Sequence, residues 1–294
     1  MKTIAQSLRA IQNSLPKQQE INIVVVTKTR TPKEIEEAIT AGARFIGENR
    51  VQEAEEKFSR INNIHLVEKR LIGGLQTNKI NKAIKLFDVI DSVDTPRLAR
   101  KISEAAQRKN TKQRVLLQIN SSKERTKAGF DLEEKKEIID CFKNEGLLVE
   151  GLMTMGPNTN QQEKIEQAFM KTKDLFDEIN KDIKTKMTTL SMGMSGDFKI
   201  AIKSVKTTPK DVIRPKRSIG TISLTKKVKK LIAVVIEVKA TALPTVSILK
   251  RKNAPLDEVT LDCLLVKCII SERQTINKIA GVIIITNSMP PNKT

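Results

Sequence analysis

Apolar and polar positions fall into alternating blocks along the first two thirds of the chain. Ile23–Val26 is a continuous apolar run closed by Thr27 and Lys28. FIGEN (45–49), HLVEKRLIGG (65–74), FDVIDSVD (87–94), RVLLQIN (114–120), LLVEGLMTM (147–155) and TLSMGMS (189–195) repeat that arrangement. Each is short, β-branched or largely apolar, and bounded by turn residues, which is the pattern of a buried strand. The segments between them carry helix signals. In TPKEIEEAITAG, Thr31 stands at the N-cap, Pro32 at the first helical position, Glu34 at the capping-box position and Gly42 at the stop. RVQEAEEKFSR, TNKINKAIKL and TPRLARKISEAAQRK read as further helices, the last again opening on Thr-Pro.

Strands of this kind followed each time by a helix-compatible segment imply an α/β protein with a parallel sheet covered by helices. The repetition favours a (β/α)8 TIM-type barrel over an open doubly wound sheet, and no GxGxxG follows the first strand. The eighth strand is expected at Ser218–Ser223 (SIGTIS), beyond a Lys/Pro-rich stretch.

Composition changes this picture mainly at the C-terminal end. The 294 residues are 39% apolar, enough for one large domain or two modest ones. Three cysteines without CxxC spacing exclude a disulfide scaffold and a zinc ribbon, and point to a reducing compartment. No apolar run approaches the roughly 20 residues that a membrane span requires, so the expectation is a cytoplasmic protein without a membrane partner. The net charge is +19. Residues 206–294 hold 17 Lys/Arg against 6 Asp/Glu, whereas the first 205 hold 36 against 28. All eight phenylalanines lie at or before Phe198, and Trp and Tyr are absent. The expected division is therefore a barrel over 1–223 and a basic, aromatic-free, β-prone extension over 224–294. That extension reads either as an accessory β region or as a replaced ending never selected to fold. In the second case the run Gly281–Thr286 is an aggregation liability. Lys226–Lys230 (KKVKK) and Lys250–Lys252 (KRK) could neutralise phosphates, but with no aromatic stacking platform the sequence argues against nucleic acid as partner.

In a parallel barrel the chemistry gathers where strand C-termini feed into loops. Lys28, Asn49, Asn120, Met155 and the pair Ser195-Gly196 all occupy such ends. A lysine there can attack a carbonyl to form a Schiff base; it can equally be a stem packed on the rim with its ammonium in water. The run SMGMSGDF (191–198) places Gly193, Ser195 and Gly196 before a helix expected to start near Asp197. Such a turn is a phosphate cradle or a plain tight βα connection. A carbonyl-seeking lysine and a phosphate cradle on one face would suit an aldehyde carrying a phosphate.

From about residue 4 to residue 203 the chain resembles the pyridoxal phosphate homeostasis proteins. The resemblance rests on VVVTKTRTPKEIEEAITAGARFIGENRVQEAEEK, LIGGLQTNKINKAIKLFDVIDSVD, VLLQINSSKERTKAGFD, EGLMTMGP and LSMGMSGDFKIAI. It implies a barrel like the N-terminal domain of alanine racemase, binding pyridoxal 5′-phosphate (PLP). It implies Lys28 as the Schiff-base lysine, Asn49 beside the cofactor ring, and Ser195 and Gly196 in the phosphate loop. Met153 and Met155 would line the mouth, and Gly220 and Thr221 would complete the phosphate site with Arg214 or Arg217. No catalytic residue and no metal ligand is implied. The function implied is that of a monomeric PLP carrier, buffering the cofactor or delivering it to PLP-dependent apo-enzymes without turnover. Two alternatives stand beside it: a PLP-dependent racemase- or decarboxylase-like enzyme, and a degraded member with impaired PLP binding. The first runs against the absence of any tyrosine to act as the opposing proton carrier. The chain also departs from the pattern. Gly74 replaces the histidine of the usual IGHLQxNK, Lys69-Arg70 replaces an aromatic-histidine pair, and the Ile219-Gly220-Thr221 run arrives late. The tail has no counterpart. The sole histidine, His65, is expected at the start of the third strand as a surface or edge residue.

Overall fold

The seven apolar runs become seven parallel strands: β1 (Val24–Val26), β2 (Phe45–Glu48), β3 (Glu68–Leu71), β4 (Val89–Val93), β5 (Gln113–Ile119), β6 (Leu147–Thr154) and β7 (Thr189–Met192). The computed structural model describes residues 3–16, 21–124 and 126–206, together with the backbone of Ala233–Val234, Ile236–Glu237 and Ile283–Thr286. The expected strand Ser218–Ser223, with Gly220, Thr221, Arg214 and Arg217, lies outside the described residues, as do the two basic runs, Cys263 and Cys268.

Helices α1 (Ile4–Ser14), α2 (Pro32–Thr40), α3 (Val51–Phe58), α4 (Ile80–Leu86), α5 (Pro96–Gln107), α6 (Lys135–Cys141), α7 (Gln162–Asp182) and α8 (Phe198–Lys206) intervene or flank. Their starts follow the local chemistry. Thr31 accepts the Glu34 N–H while Glu34 accepts the Thr31 N–H, the capping box read from sequence, and Thr95 caps α5 in the same way without the reciprocal bond. His65 is exposed and sits in a 3-10 turn, Ile64–Leu66, rather than in β3. The strand begins only at Glu68, whose N–H reaches the Arg44 carbonyl at 2.9 Å.

Strand alternation divides the apolar residues into two sets. Val25, Ile46, Leu71, Ile90, Val115, Leu117, Leu152 and Leu190 join the core that the helices cover. Val24, Val26 and Ile72 on one side, and Val89, Leu116 and Met153 on the other, point the opposite way into the barrel. Beneath them lies a charged interior. Arg70, 1% exposed, directs Nε to both Asp91 oxygens at 3.1 Å and also pairs with Glu68. Arg114 links Glu68 at 2.7 Å to Glu150 at 2.6 Å.

Closure comes from the tail. Ile283–Thr286 (β10) runs antiparallel beside β7, Ala233–Val234 (β8) pairs with β10, and Ile236–Glu237 (β9) runs parallel to β1. The ten-stranded order therefore begins with β8 and ends with β9. Val234 and Ile236 are two residues apart in the chain, so they lie within about 7 Å of each other. The two ends of the sheet meet, and the sheet is rolled into a barrel.

Candidate functional site

All seven parallel strands end on one rim, and the predicted residues rise from it. Val26 is in register with Gly47. Lys28 and Asn49 each lie two residues past this pair, just beyond the C-terminal ends of two adjacent strands. Lys28 is half-buried, and Lys28 Nζ has no hydrogen bond or ion pair among the described residues. Its neighbours are held firmly. Thr27 donates its N–H to the Gly47 carbonyl at 2.9 Å and its hydroxyl to Glu48 Oε1 at 2.7 Å. Thr29 adopts a left-handed φ of 61° and gives its N–H to Glu53 Oε1 at 2.5 Å.

Gly73, past β3, rests on the backbone of Asn49: a Cβ there would meet the Asn49 carbonyl oxygen at 2.3 Å. The Ser92 hydroxyl fixes the Gly73 carbonyl at 2.7 Å. This contact locks the tips of β2, β3 and β4 together. Beside it opens a cleft of about 600 Å³ lined by Asn49, Arg50, Gly73, Gly74, Gln76 and Lys79, among others. A Cβ at Gly74 would meet nothing within 4 Å, so the chain there faces open space beside the cleft.

On the other side of the mouth, β7 ends in the turn Gly193–Asp197. Gly193 has φ of +89°, a conformation open to glycine at little cost, and it swings the chain off the strand. Asp197 accepts the Met194 N–H, and Met194 accepts the N–H groups of Asp197 and Phe198 at 3.0 and 2.9 Å. This closes a tight loop at the start of α8. The Ser195 hydroxyl is buried within it without a hydrogen-bond partner among the described residues. Gly196 is exposed, and a Cβ there would meet nothing within 4 Å. Burial pushes the Asp197 carboxyl up to about 6, against the hydrogen bond from Met194 and the charge of Lys127.

Two other expected residues sit differently. Met153 is wholly buried in the barrel against Val89 and Leu116, with Met155 packed above it. Asn120 turns back on its own loop, donating to the Glu124 and Lys127 carbonyls at 3.0 and 3.2 Å. Sequence reasoning missed the group under Lys28. Lys57 on α3 donates to the Thr27 carbonyl at 2.8 Å, to Glu48 Oε1 at 3.0 Å and to Glu53 Oε1 at 2.5 Å. The available signal was Glu48 itself, a carboxylate at the end of an otherwise apolar strand and 0% exposed. Among the described residues no group of three or more His, Cys, Asp or Glu side chains could hold a metal, and no helix is long and apolar enough to cross a membrane.

Residues 1–215 match the family described as "Alanine racemase, N-terminal domain", and the chain belongs to that family. Its relatives narrow the class to the pyridoxal phosphate homeostasis proteins. The chain is 36% identical over 185 residues to the protein of that name from Helicobacter pylori, spanning 62% of this chain and 81% of that one. It is 36% identical over 178 residues to the one from Aquifex aeolicus, spanning 60% and 78%. Among solved structures it is similar to PipY of Synechococcus elongatus PCC7942 with PLP bound, at 30% identity and a TM-score of 0.63, covering 68% of this chain and 93% of that chain.

Proposed function

We propose that the protein binds pyridoxal 5′-phosphate at the rim between Lys28 and the Gly193–Asp197 turn and serves intracellular PLP homeostasis, holding the cofactor without turnover. The observation that carries this reading is the presence at one rim of two groups without a partner among the described residues, the amine of a half-buried lysine and a buried serine hydroxyl. The residues fit the cofactor. A hydroxyl without a partner can donate to a phosphate oxygen, and the open space around Gly196 admits one. When bound, PLP would supply an electrophilic aldehyde, for which a lysine amine is the matching nucleophile. Lys28 provides that amine, Asn49 stands beside it, and Ser195 and Gly196 hold the phosphate end. Gly220 and Thr221 are proposed as further phosphate contacts.

The relatives carry homeostasis names, which supports a carrier over an enzyme. We place the protein in the cytoplasm as a monomer whose recipients are PLP-dependent apo-enzymes. Titration with PLP, followed by visible absorption, tests the reading. Wild type is expected to develop a saturable band that Lys28→Ala lacks. Equal bands in both proteins would overturn it.

A further inference from the structure

Among the described residues, Lys28 is the one member of its loop whose side chain has no partner, while the residues on either side are tethered from below. Lys57 Nζ is the hub. It donates to the Thr27 carbonyl at 2.8 Å, to Glu48 Oε1 at 3.0 Å and to Glu53 Oε1 at 2.5 Å, which fills all three of its N–H bonds. Both carboxylates reach the loop as well. Glu48 Oε1 accepts the Thr27 hydroxyl at 2.7 Å, and Glu53 Oε1 accepts the Thr29 N–H at 2.5 Å. The residue before Lys28 and the residue after it are thus bound to one cation and its two counter-charges. Two members of this cluster are shielded: the Lys57 side chain is 11% exposed and that of Glu48 is 0% exposed.

The Lys57–Glu48 contact is expensive to bury and acts at high local strength, whereas Glu53, 25% exposed, ties the cluster to the loop at the surface. Thr29 shows what it enforces. A β-branched residue at φ of 61° pays for a left-handed backbone and keeps it only when its surroundings impose it. Here the Glu53 carboxylate on the Thr29 N–H does so, and Lys57 holds Glu53 from the next turn of α3.

We infer that Lys57, with Glu48 and Glu53, is a positioning residue that aims the Lys28 amine into the mouth of the barrel, so that capture of the aldehyde depends on it. The inference rests on the PLP-binding reading above. Lys57 does not itself touch the cofactor in this account. Its removal leaves the phosphate loop on β7 and α8 intact, and removes the constraint that presents Nζ to the reacting carbon. A misplacement of the order of 1 Å at a reacting group costs on the order of a hundredfold in rate.

The test compares a reactive with an unreactive ligand on the full-length chain. PLP reports capture through the rate of band formation; pyridoxine 5′-phosphate, which has an alcohol in place of the aldehyde, reports retention by ring and phosphate contacts alone. Lys57→Met is expected to slow band formation by about tenfold to a hundredfold while pyridoxine 5′-phosphate binds within about twofold of wild type. Lys57→Arg, which keeps the charge and the donors, is expected to recover part of the rate. Glu53→Gln, a milder variant that keeps an oxygen for the Thr29 N–H, covers the case in which Lys57→Met does not fold, and is expected to slow the rate less than Lys57→Met. Unchanged band formation in a folded Lys57→Met or, if that variant is not obtained, in Glu53→Gln would overturn the inference, as would parallel loss of both ligands, which would mean a general structural role. Failure of wild type itself to form the band would instead contradict the PLP reading.

Discussion

The rim distributes its tasks among single residues, and each can be tested singly. Ser195 offers a buried hydroxyl without a partner among the described residues. If it meets a phosphate oxygen, Ser195→Ala removes a hydrogen bond to a charged group, worth about 1.5–3 kcal/mol. PLP affinity, read by equilibrium titration, should fall about tenfold to a hundredfold. Asp197 carries a pH signature. Its carboxyl titrates at about 6 against an ordinary value of 3.8, because burial disfavours the charged form. The folded state then holds the proton more tightly than the unfolded state. The stabilisation is fully present below the ordinary value and is lost as pH rises through 6. Asp197→Asn keeps an oxygen for the Met194 N–H and removes the titration. Relative to it, wild type should lose about 2–3 kcal/mol of stability between pH 3.5 and 6.5, measured by urea unfolding at each pH. At this scale the sequence was readable where a residue ends a strand, as with Lys28, Asn49 and Ser195. It was silent on Lys57, because the partner of a side chain on α3 is set by how α3 packs and not by any local pattern.

Elements show where local signals suffice and where they do not. The capping box of α2 was legible because Thr31, Pro32 and Glu34 act within four residues of each other. Thr31→Ala should cost about 1 kcal/mol in thermal or chemical unfolding. The third strand was less legible. Its Glu68, Lys69 and Arg70 look like an exposed segment, yet Arg70 is 1% exposed and held by Asp91 from β4. Only pairing of β3 with β4 brings these charges together, so a one-dimensional pattern misses them. Removing one partner strands the others: Arg70→Met should destabilise by about 3–5 kcal/mol, and adding Asp91→Leu should recover much of that loss. A double-mutant cycle by urea denaturation checks both.

At the scale of the whole molecule, stability turns on closure of the sheet. A parallel sheet opened at β1 and β7 would present two unpaired edges, each a template for association. The tail supplies the partners: β9 covers β1, β10 covers β7, and the short chain from β8 to β9 joins them. The β-branched character of those tail runs was visible in the sequence, but their destination was not, because strand pairing over such separations leaves no local trace. A chain ending at residue 206 should therefore melt at lower temperature and associate with rising concentration. Calorimetry and light scattering would show it, and an unchanged midpoint with no association would contradict the role given to the tail.

One amine, that of Lys28, is proposed to capture the cofactor among the 38 lysines of this strongly basic chain. Borohydride reduction of the PLP-loaded protein followed by peptide mapping tests it most directly. The account predicts a single stoichiometric label on the peptide containing Lys28. Label scattered over surface lysines, or none at all, would contradict it.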